Sequence, residues 1–420
     1  MSTSRFISRL RGATRQLAIS VAVIVVTLVV VDLLLIGLGL FLPEYETGDP
    51  ELGWLMTAPD PVPFDWCFDY ARQKRVDYHR NELGIRTRLT PNEIQAESGR
   101  FTLAAVGDSH SDQCLENAAT HQGVLESELN RLGVDALVLS NGVGGYSPLQ
   151  SYLLFKQRLR RFQPEALLIN VYTGNDFNDI LRVDDRPHFV PKGDGYEIGP
   201  PIWYRYHDPE VRRHSRVMFV MRSLLDRVGL RNLYLRLLFL GAAAGQEEES
   251  WLTILDYMND VRKSSEPTVG YSGALSAQFL NQQLFLHHFP SSEAEAMRRM
   301  RFLLRMIRSE NPDLLLIMSP IPSYELVGEQ PVDAALRRAL ERLPLTYGGG
   351  IEEEGRLYYA LRDLAAQEGW LFVDNLAGLQ AYGGSERLYN DYDYHVTEAA
   401  SVIIGATQAE AIKHSLRGDR

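Results

Sequence analysis

Apolar residues gather into five short runs along the chain, and their spacing predicts the fold. The runs are Phe101–Val106, Ala136–Ser140, Ala166–Tyr172, Leu314–Ser319 and Trp370–Asp374. Each is nearly continuous, which suits central strands of a parallel sheet whose two faces are both covered. Between the runs the apolar period lengthens. Thr120–Leu132 puts Val124, Leu125, Leu129 and Leu132 on one helical face, with Gly133 as its stop. Residues 149–162 read as a basic amphipathic helix ending before Pro164, and Ser292 with Glu295 reads as a capping box opening a helix through Ser309. Further helices are expected near 333–342 and 352–368, and a last one to about Ser415. Strand and helix alternating in this way predict an α/β fold with a doubly wound, flavodoxin-like parallel sheet of five strands.

Two stretches break the rhythm. Residues 184–290 hold loops, a helical stretch from about Ser215 to Phe239 and an acidic patch at Glu247–Glu249, and read as a helical insertion beside the sheet's edge. Residues 43–99 are rich in Pro, Asp and aromatic residues, and read as extended chain with short strands near Val76–His79 and Gly84–Arg88. The folded domain is then expected over residues 100–415.

Residues 17–42 are almost wholly apolar, long enough to cross a bilayer as a helix. The run is too long for a signal-peptide core and lacks a small-x-small cleavage site, so it reads as an uncleaved signal anchor. Arg5, Arg9, Arg11 and Arg15 precede it, and Glu44, Glu46, Asp49 and Glu51 follow it. The positive-inside rule then puts residues 1–16 in the cytoplasm and the rest outside. Asp32 falls near mid-membrane, where an acid costs roughly 2.5–3.5 kcal/mol on insertion scales. It reads either as a contact with a partner membrane protein or a second copy of the helix, or as a tolerated, protonated acid.

Acidic residues outnumber basic ones, 54 against 43, for a net charge of −11. That excludes a general nucleic-acid binder, which needs a basic face. The two cysteines, Cys67 and Cys114, form no CxxC and no ligand cluster, so no metal and no cofactor are expected.

The first strand runs into Gly107-Asp108-Ser109, which places a serine just past the carboxyl end of a strand, where open α/β sheets hold their sites. Gly, Asp and Ser are also ordinary turn residues. The second strand runs into Asn141-Gly-Val-Gly-Gly145 and the third into Thr173-Gly-Asn175-Asp. A serine nucleophile needs a base, and the base an orienting group. His395 lies after the fifth strand; Asp393 is two residues earlier, so both side chains share a face of extended chain, and Asp391 is a second candidate acid. Acyl transfer also needs donors for the oxyanion, which the backbone N–H groups of Ser109 and Gly145 and the Asn175 amide can offer. Read singly, these are turn residues, a loop cap and solvated surface.

Gly-Asp-Ser, Gly, Gly-Asn-Asp and Asp-x-His in this order, each after the matching strand, resemble the SGNH (GDSL-type) hydrolases over roughly residues 100–415. The resemblance implies Ser109 as nucleophile, His395 as base, Asp393 as third member, and Gly145 with Asn175 as oxyanion hole. Leu52-Gly-Trp and Asn81-Glu-Leu-Gly-Ile-Arg look like the pre-domain pattern of membrane-anchored bacterial members, among which are enzymes that modify polysaccharides with acetyl groups. A domain on the outer side of a bacterial inner membrane, acting on acyl esters of a cell-surface glycan, is implied. An O-acyltransferase, a lipid esterase and a non-catalytic assembly subunit remain alternatives. Two departures stand out: position 392 is Tyr within an Asp-x-His where Asp-x-x-His is frequent, and His110 follows the serine, as a substrate contact or an exposed histidine. A Cys67–Cys114 bridge would pin the N-terminal segment beside the site. A metallophosphoesterase is imitated by Asp77-Tyr-His79 and Gly107-Asp108, but Asp112 is one place late and no His follows Asn175.

Overall fold

The computed structural model describes residues 20, 23, 26–31, 34, 46–56, 68–69, 74–76, 78–97, 99–183, 186–201, 290–328, 351–390 and 395–418. The chain divides into two compact units, Met1–Glu44 with His207–Leu252, and Tyr45–Tyr206 with Thr253–Arg420. In the first, the described positions from 20 to 34 are helical, with Val23, Val26, Val29, Val30, Val31 and Leu34 exposed. No helix among the described residues is long and apolar enough to cross a membrane. Most of the expected span at 17–42, Asp32 included, lies outside the described residues, as do the expected helices at 215–239 and 333–342.

The second unit is built on a five-stranded sheet. Its strands are β1 (Phe101–Gly107), β2 (Ala136–Gly142), β3 (Ala166–Tyr172), β4 (Leu315–Ile321) and β5 (Leu371–Phe372). They lie in the order β5-β4-β3-β1-β2, all neighbours parallel. This is the doubly wound order expected from the five apolar runs. The winding reverses between β1 and β3, and open α/β sheets hold their sites at such a reversal, beyond the carboxyl ends of the strands.

Helices cover both faces because successive strand residues point to opposite sides. Leu103, Ala105, Val138 and Leu168 pack against α1 (His121–Arg131) and α5 (Glu398–Leu416), through Leu125, Leu129, Ala409 and Ile412. Ala104, Val106, Leu139 and Ile169 face α2 (Pro148–Leu154), α3 (Pro290–Glu310) and α4 (Ile351–Gln367), through Tyr152, Leu303, Ile307 and Leu361. Each Val, Leu and Ile side chain among these, withdrawn from water, contributes about 1.5–3 kcal/mol.

Several local expectations are corrected. Ser147 caps α2, with Pro148 in the first turn and Gln150 completing a capping box. The single helix expected over 149–162 then changes at Phe155 into a π turn and at Arg160 into a 3-10 turn, closed by Gln163 in the left-handed region at φ 51°. The helix expected to open at Ser292 starts at Pro290, and Glu295 bonds Arg298, Arg299 and Tyr196 within and beyond the helix. No described residue of 76–79 or 84–88 is in a strand. Asn81 Oδ1 accepts from the amides of Leu83 and Ile85 at 3.0 and 3.1 Å, which folds this stretch into a turn. The strands of the segment lie earlier, in an antiparallel pair of Glu46–Asp49 with Gly53–Met56 and another of Phe68–Asp69 with Lys74–Arg75. Inside the expected insertion, His188–Lys192 and Gly195–Gly199 form a hairpin, while 202–289 lie outside the described residues.

Candidate active site

Beyond β1 the chain turns tightly. The Asp108 carbonyl accepts from the amides of Ser111 and Asp112 at 3.0 and 2.9 Å, so half-buried Ser109 stands on a sharp bend. Close approach explains the flanking glycines. A Cβ on Gly107 would lie 2.2 Å from Ser111 Oγ, and one on Gly142 would lie 2.5 Å from the Ser111 carbonyl carbon. In the β2 loop, the Cβ position of Gly144 is 3.9 Å from Ser109 Cβ. Gly145, the residue expected at the oxyanion hole, holds φ at 76° and turns toward Trp54, 3.6 Å from its own Cβ position. Gly144 is thus the glycine packed on the serine, and Gly145 supplies the left-handed turn that puts it there.

After β3, Asn175 precedes the short helix Asp176–Asp179. Its carbonyl accepts from Asn178 and Asp179, both at 2.9 Å, while its side chain makes no cap bond to that helix. The amide is therefore not committed to capping.

His395 arrives on a loop closed by a bridge between Tyr389 and Val396 and by the Asn390 N–H donating to the His395 carbonyl at 2.9 Å. Thr397 then caps α5. Gln113, four residues beyond Ser109, donates to Ser401 Oγ at 2.6 Å and reaches the Val396 carbonyl at 3.5 Å, tying its loop to the start of α5 and to the residue after His395. The outcome is that His395 lies beside His110, with ring centroids 4.7 Å apart and planes at 33°. His110 was expected as a substrate contact or an exposed histidine. It is fully buried, stacked on Tyr172 at 3.6 Å and 21°. Asp391 and Asp393, the candidate triad acids, lie outside the described residues. Cys114 is disulfide-bonded; the chain's other cysteine, Cys67, lies outside the described residues.

The electrostatics reach beyond the expected residues. Asp108 is buried, and burial pushes its carboxyl up to about 7, although the His110 N–H it accepts at 2.9 Å and the nearby His395 act the other way. Asp176 is raised well above the ordinary carboxylate range by burial and by the charges of Asp108 and Asp179. Asp179 has ion-pair partners in Arg186 and, at 3.4 Å, Arg182. Burial and the neighbouring His395 hold the His110 imidazole well below 6.5, so it is neutral. The signal for this acidic group was present as Asp at the end of two strands and an Asp pair at i,i+3 in 176–179, but nothing local says that those side chains point inward.

A second missed group anchors the bend from outside. Arg80 bonds Asp112, the Tyr78 hydroxyl and the Gly84 carbonyl, and reaches the Gly142 carbonyl at 2.8 Å. Arg86 donates to the carbonyls of Gln113 and Leu115, and to Asn117 Oδ1 at 3.2 Å. The segment before the domain thus holds the loop that follows Ser109. Among the described residues, no group of three His, Cys, Asp or Glu side chains could hold a metal ion.

No family model matches the sequence, and no curated protein matches it. The solved structures similar to it include an α/β hydrolase enzyme from the metagenome of Lake Arreo, Spain, at 12% identity and TM-score 0.32, covering 76% of this chain and 98% of that one. A putative lipolytic protein of the G-D-S-L family from Desulfitobacterium hafniense matches at 9% identity and TM-score 0.33, covering 74% and 99%. An acetylxylan esterase from Geobacillus stearothermophilus matches at 12% identity and TM-score 0.32, covering 75% and 94%. Likeness at this level carries no argument; the α/β assignment rests on the strand order itself.

Proposed function

We propose that the chain is a membrane-anchored, extracytoplasmic serine esterase of the SGNH type, acting on acetyl or other short acyl esters of a cell-surface glycan. The observation that supports the reading is the packing of the Gly144 loop on Ser109 together with the His395 ring lying 4.7 Å from that of His110, the residue that follows Ser109.

In the mechanism, Ser109 Oγ attacks the ester carbonyl and His395 takes its proton. The tetrahedral oxyanion accepts hydrogen bonds from the Ser109 N–H, a backbone N–H of the Gly144–Gly145 loop and the Asn175 amide. His395 then gives its proton to the departing alcohol oxygen, leaving the acyl group on Ser109. Water, deprotonated by His395, attacks the acyl carbonyl, and the carboxylic acid leaves as Ser109 recovers its proton. Asp393 or Asp391 orients the imidazole.

The anchor is supported by the apolar run at 17–42, the arginines before it and the exposed valines at its described helical positions, since an apolar helix surface suits lipid. The disulfide at Cys114 suits an oxidising compartment. The glycan and the short acyl group follow from the resemblance in the motifs. The test is the full-length chain in detergent, assayed on p-nitrophenyl acetate and probed with a fluorophosphonate. Ser109→Ala is expected to lose labelling and to lower kcat by at least about 10³-fold. Equal rates in parent and variant would exclude Ser109 as nucleophile, and an unlabelled parent would favour a non-catalytic subunit.

A further inference from the structure

The mechanism leaves unused the residue that touches both of its halves. His110 follows Ser109 directly, and its backbone N–H is held by Asp108 Oδ1 at 2.9 Å, so its place relative to the nucleophile is fixed. Its ring lies on Tyr172, the last residue of β3, with centroids 3.6 Å apart. Tyr172 is itself confined. Its N–H donates to Asp176 Oδ2 at 2.8 Å, and a Cβ on Gly174 would stand 2.4 Å from Tyr172 Cε1, so only glycine leaves the phenol ring room. His395 lies beside His110 at 4.7 Å, on a loop that no sheet strand carries.

We propose that His110, backed by Tyr172, is the plate against which the His395 ring is set, and so is a positioning residue for the base. This rests on the reading of Ser109 and His395 as nucleophile and base. Two imidazoles at this separation do not both hold a proton at neutral pH, because like charges in a dry site repel strongly. The surroundings decide which one does. His110 is fully buried. It is faced by His121 from α1 and by His395, and burial is the largest influence keeping it neutral. Both ring nitrogens of His395 are themselves buried, and the ring lies within the field of Asp108, on which Asp176 and Asp179 also act, with Arg186 paired to Asp179. His110, kept neutral by burial, therefore contributes a flat, uncharged face. A phenyl ring supplies the same face; a methyl group does not.

The experiment uses the full-length chain in detergent, with kcat, KM and the pH profile of kcat/KM on p-nitrophenyl acetate, and fluorophosphonate labelling of Ser109 alongside. His110→Ala is expected to lower kcat by about 10–100-fold with KM within about twofold, since a base displaced by an ångström loses that much. His110→Phe is expected to restore kcat to within about threefold of the parent and to keep a single ionisation in the acid limb. Unchanged kcat in His110→Ala with Ser109 labelled would overturn this inference alone. A second acid-limb ionisation present in the parent and missing in His110→Phe would do the same, by showing that His110 itself titrates. Failure of Phe to rescue would show that a flat face is not what matters. A parent in which Ser109 is not labelled would overturn both this inference and the reading beneath it.

Discussion

The buried ion pair behind the Ser109 loop gives the sharpest stability prediction. The Arg80 and Asp112 side chains are 1% and 5% exposed and in direct contact. Arg86 is 4.0 Å from the same carboxylate, but its guanidinium is committed to two carbonyls and Asn117. Two cations therefore share one anion. Arg80→Met removes the close partner and also leaves the Gly84 and Gly142 carbonyls without that donor. Breaking a buried pair from one side costs about 3–5 kcal/mol, so a loss near 4 kcal/mol is expected, a large part of the ~5–15 kcal/mol that holds a typical domain. Asp112→Leu is expected to cost a similar amount, because it leaves the buried Arg80 guanidinium without its counter-ion while Arg86 keeps its two carbonyls and Asn117. The double variant should be less destabilised than the sum of the singles, since Arg80 and Asp112 leave together and only Arg86 remains, held by its carbonyls and Asn117. Equilibrium urea unfolding of the four proteins measures all three quantities. A loss below about 1 kcal/mol for Arg80→Met, or a strictly additive double variant, would refute the claim that the pair is coupled and dry.

Gly142→Ala is expected to damage activity more than stability. Its Cβ would meet the Ser111 carbonyl carbon at 2.5 Å and the Asp112 nitrogen at 2.6 Å, backbone that yields only by moving the bend. Overpacking of this kind costs about 1–3 kcal/mol, and on the proposed mechanism a shifted Ser109 costs about 100-fold in kcat. Parent-like kcat on p-nitrophenyl acetate would show that the bend is not held by this contact. For pH dependence, Asp108 has its pKa raised from 3.8 to about 7, so its contribution to stability is full below 3.8 and is lost as pH rises through about 7. Asp108→Asn is expected to remove that decline, up to about 1.4 kcal/mol per pH unit in the window. His121 runs the other way. Its pKa is lowered by burial from 6.5 to about 3, so its contribution is full above 6.5 and lost as pH falls toward 3. His121→Phe should therefore flatten the acid side of the stability profile, and an unchanged slope by urea titration at stepped pH would contradict its neutral burial.

What could be read from the sequence, and what could not, divides along a physical line. The five apolar runs became five parallel strands because near-continuous burial is a local property of each run. Parallel strands end at one edge. Motifs written directly after them, Ser109 after β1, Gly144–Gly145 after β2 and Asn175 after β3, therefore fall on the same edge, and Gly144 packs on Ser109 there. Polar partners distant in sequence leave no such trace. Arg80 and Asp112 are separated by 32 positions, and neither looks different from a solvated residue until the fold closes over both. The left-handed Gln163, where glycine is usual, and the π turn before it are likewise invisible to a helical period that continues through them. The burial of His110 leaves no trace for the same reason: beside Gly, Asp and Ser it has the composition of a turn, and only the sheet order brings Tyr172 beneath it. His395 is the instructive case. No strand carries it to the edge, so its approach has to be built from side chains: Tyr389 bonded to the Pro322 carbonyl, Thr397 to the Arg387 carbonyl, and Gln113 to Ser401. Two of these anchors reach over 67 and 288 positions of sequence. Strand register places Ser109 and the two glycine- and asparagine-bearing loops at one edge, whereas the place of His395, the proposed base, depends on separate, individually removable contacts. Substitutions in that second set, Gln113→Ala first among them, should therefore loosen His395 while leaving the sheet and the Ser109 bend in place.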